Sequence, residues 1–442
     1  MDAPAELDVD RLLDDPQTRI IVCCGAGGVG KTTTAAALGV RAAERGRKVV
    51  VLTIDPARRL AQSMGIDSLD NTPRRVSGVS ENGNGGELHA MMLDMKRTFD
   101  EIVEGHSDPE RAAAILANPF YQSLSAGFAG TQEYMAMEKL GQLRARDDWD
   151  LIVVDTPPSR SALDFLDAPG RLGSFLDGKF IRVLMAPAKV GGRAGMKFLN
   201  VGMSMMTGTL SKLMGASLLK DVQTFVAAMD TMFGGFRTRA DATFQLLQAP
   251  GTAFLVVSAP EPDALREAAY FVERLAAERM PLAGLVLNRV HGSGAEQLSA
   301  ERALAAAENL EEGGIVDQES GKAGLRDSTE TDRETAPETG PEADTDDRTE
   351  RETGADTVDT GADAHVAAAA DADVDVITAG LLRLHAERMQ IIAREQRTRD
   401  RFTSLHPEVA VAEVAALPGD VHDLAGLRAI GERLAAGVPA GA

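Results

Sequence analysis

The sequence has little of what secreted or membrane-spanning proteins need. Its 442 residues include only two cysteines, the adjacent pair Cys23 and Cys24. Neighbouring residues of a strand point to opposite faces, so a disulfide between these two would be strained. No stretch reaches the roughly 18 uncharged apolar residues of a membrane helix. The acidic start lacks the basic and apolar segments of a signal peptide. We therefore expect a cytoplasmic protein with no transmembrane segment.

Positive charge is also scarce, and the acidic excess is concentrated in one segment. The formal net charge is −21, and between Glu311 and Asp375 there are 21 Asp or Glu against 5 Lys or Arg. The rest of the chain is close to neutral, so we expect no direct nucleic-acid binding, which requires a basic surface. The acidic segment has few large apolar residues with which to offset chain entropy. We predict a mostly disordered insert over residues 294–375, either a solvated loop or a tail that binds basic proteins.

Short apolar runs alternate with helical patterns along the rest of the chain. The runs Thr18–Cys24 and Lys48–Ile54 flank an Ala-rich stretch, and this order predicts a βαβ unit in a parallel sheet. Four later runs have the same character: Leu151–Val154, Ala253–Ser258, Leu282–Leu287 and Val409–Leu417. We predict an α/β fold with a doubly wound, mainly parallel sheet and a helical subdomain.

The same patterns suggest domain boundaries. We predict an N-terminal extension over residues 1–17 and a core over 18–293. The helical subdomain within this core covers about 95–146 and 171–247. After the insert, a helix, a strand and a helix in 376–442 are expected to complete the core.

A glycine-rich loop stands between the first predicted strand and helix. Gly25, Gly30, Lys31 and Thr32 satisfy the G-x-x-x-x-G-K-[ST] pattern of a nucleotide-binding P-loop. Glycines let backbone N–H groups converge on phosphate oxygens, the lysine reaches the β- and γ-phosphates, and the threonine hydroxyl binds Mg²⁺. The predicted nucleotide-binding residues of this loop are Gly25, Ala26, Gly27, Gly28, Val29, Gly30, Lys31, Thr32 and Thr33.

Two aspartates follow predicted strands. Asp155 ends the run Leu151–Val154, where the carboxyl edge of a parallel sheet puts it beside the P-loop. We predict that Asp155 and Thr32 hold Mg²⁺, with Asp155 acting through water. Asp55 ends the second strand, where it orients the attacking water or caps a helix. Together with Lys31, it is our candidate catalytic residue.

In the stretches Gly25–Thr34, Thr53–Ala57 and Asp155–Pro158 the sequence resembles the ArsA/Get3 family of ATPases, which includes arsenite-pump ATPases and targeting factors for tail-anchored proteins. The resemblance implies a dimeric, Mg²⁺-dependent ATPase with ATP as its substrate. It also implies that Asp55 assists the hydrolytic water, that Asn288 reads adenine and that Pro418 covers the base.

The sequence departs from the family pattern in its loop. The family usually carries a second lysine at the position of Ala26, and that lysine reaches the phosphates of the partner subunit. One hypothesis is that a related partner subunit carries this lysine in a heterodimer, and another is that Arg58 or Arg59 supplies the charge. Pro158-Ser-Arg160 also stands where the family has a Thr-Gly-His run.

Neither of the family's metal-binding patterns is present. Arsenite binding needs separated cysteines, and Cys23 and Cys24 are adjacent. The C-x-x-C zinc motif of the targeting factors is absent, so we expect no zinc site. A Met-rich stretch from Gly195 to Lys220 is either a groove for a hydrophobic client or membrane-protein partner, or ordinary helix core.

The sequence thus predicts an ATPase that couples hydrolysis to a conformational cycle of a helical client- or partner-binding region. The main alternative, suggested by Ala26, is a nucleotide-dependent interaction subunit with little turnover in a heterodimer. A partition ATPase acting on DNA or membrane and a small-molecule kinase remain as less favoured alternatives.

Overall fold

The computed structural model describes residues 5–55, 59–79, 85–119, 121, 122, 125, 131–157, 238–319 and 360–436. The strands are β1 (Ile20–Gly25), β2 (Lys48–Thr53), β3 (Arg74–Arg75), β4 (Glu87–Met92), β5 (Leu151–Asp155), β6 (Thr252–Ser258), β7 (Leu282–Val290) and β8 (Val411–Ala415). The helices are α1 (Val9–Asp14), α2 (Lys31–Glu44), α3 (Arg59–Ser63), α4 (Met95–His106), α5 (Pro109–Leu116), α6 (Thr131–Arg146), α7 (238–248), α8 (Pro262–Ala277), α9 (Ala300–Glu319), α10 (Thr360–Leu405) and α11 (Leu424–Ala436).

The eight strands form one sheet in the order β3-β4-β2-β5-β1-β6-β7-β8. All neighbouring strands run parallel except β3, which pairs antiparallel with β4 at one edge. The predicted α/β fold with a mainly parallel sheet is therefore confirmed. Since the central strands run parallel, their carboxyl ends lie along one edge of the sheet.

Both faces of the sheet are covered. Alternate residues of β1 enter separate hydrophobic clusters: Ile20 and Val22 belong to one, and Ile21 to the other. Parallel strands buried on both faces read as continuous apolar runs, which is why the central strands were recognisable from sequence. Cys23 and Cys24 divide in the same way, and both are free and buried, as predicted.

Two strands at one side of the sheet, the edge strand β3 and its neighbour β4, were not predicted from the sequence. β4 reads Glu-Leu-His-Ala-Met-Met, and its polar positions interrupt the apolar run. His89 of this strand packs edge-on against Trp149, with ring centroids 4.9 Å apart. A tertiary contact therefore accommodates a residue that by itself weakens the strand pattern.

The C-terminal part returns to the sheet. β8 pairs in parallel with β7, and α11 lies against α2, with Arg428 Nε 2.6 Å from a carboxylate oxygen of Glu44. The N-terminal segment also reaches β8, because the backbone nitrogen of Leu7 donates to the carbonyl of Val411 at 3.1 Å. Segments from both ends of the chain thus meet on one strand.

The chain divides into two compact units. One comprises residues 1–292 and 392–442 and contains the sheet, and the other comprises Ser293–Ile391. In the second unit, helices α9 and α10 enter the range predicted as an acidic insert. The Glu311 and Arg383 side chains join them through an ion pair of 2.6 Å.

The helical subdomain is described in part. Helices α4, α5, α6 and α7 fall within the predicted ranges 95–146 and 171–247. The rest of the second range, including the Met-rich stretch, lies outside the described residues.

Candidate functional site

The glycine-rich loop joins β1 to α2 with a backbone that needs glycine at particular positions. Gly25 has φ +149°, and an added Cβ would lie 2.0 Å from the carbonyl oxygen of Val257 on β6. Gly30 has φ +95°, and its Cβ would lie 2.2 Å from Nδ2 of Asn288. The loop is therefore held tightly from the neighbouring strands, while Gly27 and Gly28 at its crest are exposed.

Helix α2 begins directly under this loop. Its N-cap is Gly30, and no side chain caps it. The first N–H groups of a helix have no intrahelical partners and carry a partial positive charge, which suits an anionic ligand. Lys31 is 6% exposed, and its Nζ donates to the carbonyl of Ala26 at 2.7 Å, so the ammonium lies inside the curve of the loop. Burial lowers the pKa of Lys31 below its ordinary value.

Asp155 lies at the carboxyl end of β5 and is fully buried. Its Oδ2 accepts hydrogen bonds from the hydroxyls of Thr32 and Thr53, each at 2.8 Å. Its Oδ1 is buried and has no hydrogen-bond partner among the described residues. Burial raises the pKa of this carboxyl to about 6, although the two hydroxyls and Lys31 act in the opposite direction.

Thr53 is a site residue that the sequence analysis did not single out. It ends β2, and the parallel register of β2 and β5 puts it directly beside Asp155. Its buried hydroxyl therefore donates to the Asp155 carboxylate, although the two residues are 102 positions apart in sequence. The available signal was its place at the end of a buried strand, two residues before Asp55.

Asp55 follows β2 at the same edge of the sheet. Its backbone nitrogen donates to Oγ1 of Thr53 at 3.2 Å, and its side chain is half-buried. Burial lowers the pKa of Lys31, and the negative charge of Asp55 acts against that shift. Burial raises the pKa of Asp155, and the charge of Asp55 adds to that rise. The structure therefore brings Asp55 into the same electrostatic neighbourhood as Lys31 and Asp155.

Asn288 lies beside the loop, at the end of β7. Its Nδ2 donates to the carbonyl of Val29 at 2.8 Å, and its Oδ1 accepts from the backbone nitrogen of Arg289 at 3.0 Å. Pro418 is exposed in the turn after β8, the neighbour of β7. Adenine recognition by Asn288 and base covering by Pro418 stay predictions.

Several other predicted site residues lie outside the part of the chain that the structure describes. Arg58, Pro158-Ser-Arg160 and the Met-rich stretch lie outside the described residues, and so does the side chain of Arg59. In the parts of the chain that are described, no group of three or more His, Cys, Asp or Glu residues is arranged to hold a metal ion. No described helix is long and apolar enough to cross a membrane.

The chemistry of the loop edge fits Mg²⁺. Magnesium prefers oxygen ligands and usually keeps several waters, so it needs only one or two protein groups. Thr32 offers a hydroxyl oxygen, and Asp155 offers a buried carboxylate oxygen with no hydrogen bond. An unpartnered buried carboxylate oxygen is costly for the folded protein, and a bound cation or its water removes that cost.

Comparisons with known proteins agree with this geometry. The family model for anion-transporting ATPases matches residues 18–312. A protein named ATPase GET3 from Podospora anserina is 26% identical over 310 residues, which are 69% of this chain and 83% of that protein. Another ATPase GET3, from Malassezia globosa, is 30% identical over 164 residues, covering 37% of this chain and 46% of the relative.

A third relative is named for arsenic. A putative arsenical pump-driving ATPase from Halobacterium salinarum is 29% identical over 194 residues, which are 42% of this chain and 29% of that protein. The family model covers more than half of the chain and includes β1 to β7 with the whole P-loop. The chain therefore belongs to the anion-transporting ATPase family, and its predicted enzyme class, an ATPase, is confirmed.

Proposed function

We propose that this chain binds MgATP at residues 25–33 and hydrolyses it, with Lys31 and Asp55 as the catalytic residues. The observation that carries the proposal is the environment of Asp155. Its buried Oδ1 has no hydrogen-bond partner in the part of the chain that the structure describes, while the Thr32 and Thr53 hydroxyls donate to Oδ2. A purely structural carboxylate in this position would be expected to pair with a cation or to satisfy both oxygens.

The loop residues bind the triphosphate in this proposal. The uncapped start of α2 and the exposed backbone at Gly27 and Gly28 bind phosphate oxygens. The Lys31 ammonium lies 2.7 Å from the Ala26 carbonyl, and a short rotation of its flexible stem carries it to the β- and γ-phosphates. Its charge then stabilises the negative charge that develops on the oxygens of the transferred phosphoryl group.

Thr32 and Asp155 would hold Mg²⁺, Asp155 through water. When bound, Mg²⁺ neutralises part of the charge on the phosphate oxygens. The Thr53 hydroxyl keeps the Asp155 carboxylate oriented, and Asp55 orients the attacking water. On the opposite side of the loop, Asn288 holds the Val29 carbonyl and contacts adenine, while Pro418 covers the base.

The hydrolytic cycle is proposed to drive a helical client- or partner-binding region. Asp155 belongs to both the metal site and the strand end that leads into Pro158, so loss of the γ-phosphate can be transmitted along the backbone there. The working form is a homodimer or a heterodimer with a related ATPase, and the partner is a hydrophobic client or a membrane protein. The relatives named ATPase GET3 and arsenical pump-driving ATPase support this cycle by analogy only.

Steady-state ATP hydrolysis by the purified chain tests the catalytic part. Wild type should turn over ATP in a Mg²⁺-dependent way, and Lys31→Ala and Asp55→Asn should each lose turnover. Lys48→Ala is a matched control, because Lys48 lies at the opposite, amino end of β2. Equal activity of wild type and both site variants would reject the assignment.

One observation favours a second function. Ala26 stands where the family carries a lysine that acts in the partner subunit, so the chain alone lacks that group. In this alternative it is a nucleotide-dependent interaction subunit that turns over ATP only beside a related ATPase. Tight MgATP binding without turnover by wild type, and turnover gained by Ala26→Lys, would favour the alternative.

A further inference from the structure

Helix α10 carries two apolar seams within the unit Ser293–Ile391, and only one of them is buried. The first seam includes Ala379 and Ala386, which are 1% and 0% exposed. Helix α9 has matching small residues, Ala303 and Ala307, that are also fully buried. The contact from Nε2 of His385 to the carbonyl of Leu298, at 2.8 Å, further ties α10 to the segment before α9.

The second seam, which we call the outer stripe, is exposed. Its members follow one another at alternating spacings of three and four residues: Val374, Ile377, Leu381, Leu384, Arg388 and Ile391. The five apolar members are between 41% and 63% exposed. At about 100° per residue, the outer stripe is centred on the opposite side of the helix, about 180° from the buried seam. It is therefore not an extension of the face that already has a partner.

The spacing of the outer stripe is that of a coiled-coil seam. Large apolar residues at alternating intervals of three and four form knobs that enter holes on a facing helix with the same repeat. An ordinary solvated face of a helix carries charged and polar residues instead. The helix is also already formed, so docking does not require the chain to fold first.

The pattern is complementary to itself when the second helix runs in the opposite direction. Aligned about a two-fold axis, Leu381 of one copy meets Leu384 of the other, and Val374 meets Ile391. The remaining pair is Ile377 with Arg388, whose methylene stem covers the isoleucine while its charge reaches water. All six positions are used, and every contact occurs twice, as an isologous interface requires.

A parallel pairing is disfavoured by the single charged member. It would put Arg388 of both copies in one layer of the seam, where like charges repel with little water between them. In the antiparallel pairing, the two arginines are separated by about 11 residues of helix, or roughly 16 Å. Arg388 therefore acts as an orientation device at some cost in stability.

We propose that the outer stripe of α10 is a self-association surface, on which a second copy of this chain docks antiparallel through the same six residues. This interface does not involve the nucleotide site, so it forms without ATP. It is weak by the standard of permanent dimers, because six residues a side bury less area than the 20–30 of a typical stable interface.

Mass measurement on the full chain tests the proposal. Sedimentation velocity without nucleotide should show a dimer that forms with rising concentration. Leu381→Glu and Leu384→Glu each introduce charge into both central layers, and each should halve the mass. Val376→Glu is the matched control, because Val376 is 69% exposed on the same helix but lies off the outer stripe. Equal masses for all four proteins would overturn the proposal, as would a loss of mass in the control.

Repeating the measurement with ATP separates this surface from any dimer formed at the nucleotide site. If ATP induces a dimer at the nucleotide site, the Leu381→Glu variant should still form that dimer. The wild-type chain can use both surfaces, so its mass with ATP should be about twice the mass of Leu381→Glu with ATP. Arg388→Leu should tighten the self-association, because it replaces the one charged member. Weaker self-association of Arg388→Leu than of wild type would contradict the proposal that the outer stripe is the contact surface.

Cross-linking fixes the direction of pairing. With a short bismaleimide, a mixture of Val374→Cys and Ile391→Cys chains should form covalent dimers, while Val374→Cys alone should not, because its two copies lie at opposite ends. Wild type is the unreactive control, since both cysteines are buried and burial raises the pKa of each thiol, that of Cys24 to about 12. Efficient cross-linking of Val374→Cys with itself would overturn the antiparallel arrangement.

Discussion

Two strands of the same sheet carry buried carboxylates that differ in their partners. Glu413 on β8 is 7% exposed, and Arg399 pairs with it at 2.8 Å. Asp155 at the end of β5 is fully buried, yet among the described residues it has only hydroxyl partners on one oxygen and none on the other. A carboxylate that serves the fold is neutralised by a cation of the protein itself, whereas one that serves a ligand is left incompletely satisfied.

The largest effect on ATP turnover is expected from replacing Asp155. Asp155→Asn should lower the ATPase rate about a hundredfold or more, because the site loses the charge that holds the metal. It should not lower the free energy of unfolding at pH 8, since the amide relieves a buried charge. Turnover and urea denaturation measure the two effects. Asp155→Asn with near wild-type turnover would remove Asp155 from the proposed site.

The pH dependence of stability sharpens the same contrast. The pKa of Asp155 is about 6 in the folded chain, against 3.8 for the ordinary group, so the folded state holds the extra proton between these values. The stabilisation is therefore fully present below about pH 4 and is lost as pH rises through 6. Wild type should lose on the order of 3 kcal/mol relative to Asp155→Asn between pH 4 and 7.

This difference is measured by urea denaturation of both proteins at a series of pH values in Mg²⁺-free buffer. Subtracting the two curves removes the titration of every other group. Parallel curves across the range would show that Asp155 is not held in a destabilising environment.

The Glu413 side of the comparison should respond in stability alone. Glu413→Gln removes the buried ionic partner of Arg399 and leaves it only the exposed Asp400, at 3.3 Å. We expect a loss of about 1–3 kcal/mol in the free energy of unfolding. ATPase turnover should remain that of wild type at temperatures where both are folded. Glu408→Gln is the surface control, because its side chain is 64% exposed, and it should change stability by less than about 0.5 kcal/mol. A fall in turnover with unchanged stability would reverse the roles assigned to the two carboxylates.

The smallest effect is expected from the hydroxyl that orients Asp155. Thr53→Val removes one hydrogen bond from Oδ2, and the Mg²⁺ concentration for half-maximal activity should rise about threefold to tenfold. Thr252→Val is matched, since Thr252 is also a buried strand threonine whose hydroxyl bonds a carbonyl, that of Leu246, but at the start of β6. The same Mg²⁺ requirement in both variants would remove Thr53 from the site.

Much of the fold and of the phosphate loop could be predicted because the signals are local. The doubly covered strands β1, β2 and β5 are continuous apolar runs, and the P-loop pattern lies within the eight residues 25–32. β4 was missed because its polar positions are accommodated by contacts such as that of His89 with Trp149. The position of Asp155 could be predicted because an acidic residue directly after a buried parallel strand lies at the carboxyl edge of the sheet.

The sequence by itself determined the α/β class, the P-loop pattern and the position of Asp155 at the end of a buried strand, since each depends on neighbours along the chain. Tertiary structure alone decided that Thr53 supports Asp155 and that Asn288 contacts Val29, because the strand order β2-β5-β1 and the position of β7 bring together residues far apart in sequence. Only the fold, likewise, decided which seam of α10 is buried and which is exposed. The buried seam carries small residues, Ala379 and Ala386, and the outer stripe carries large ones, so packing and not apolar content decides which face is covered.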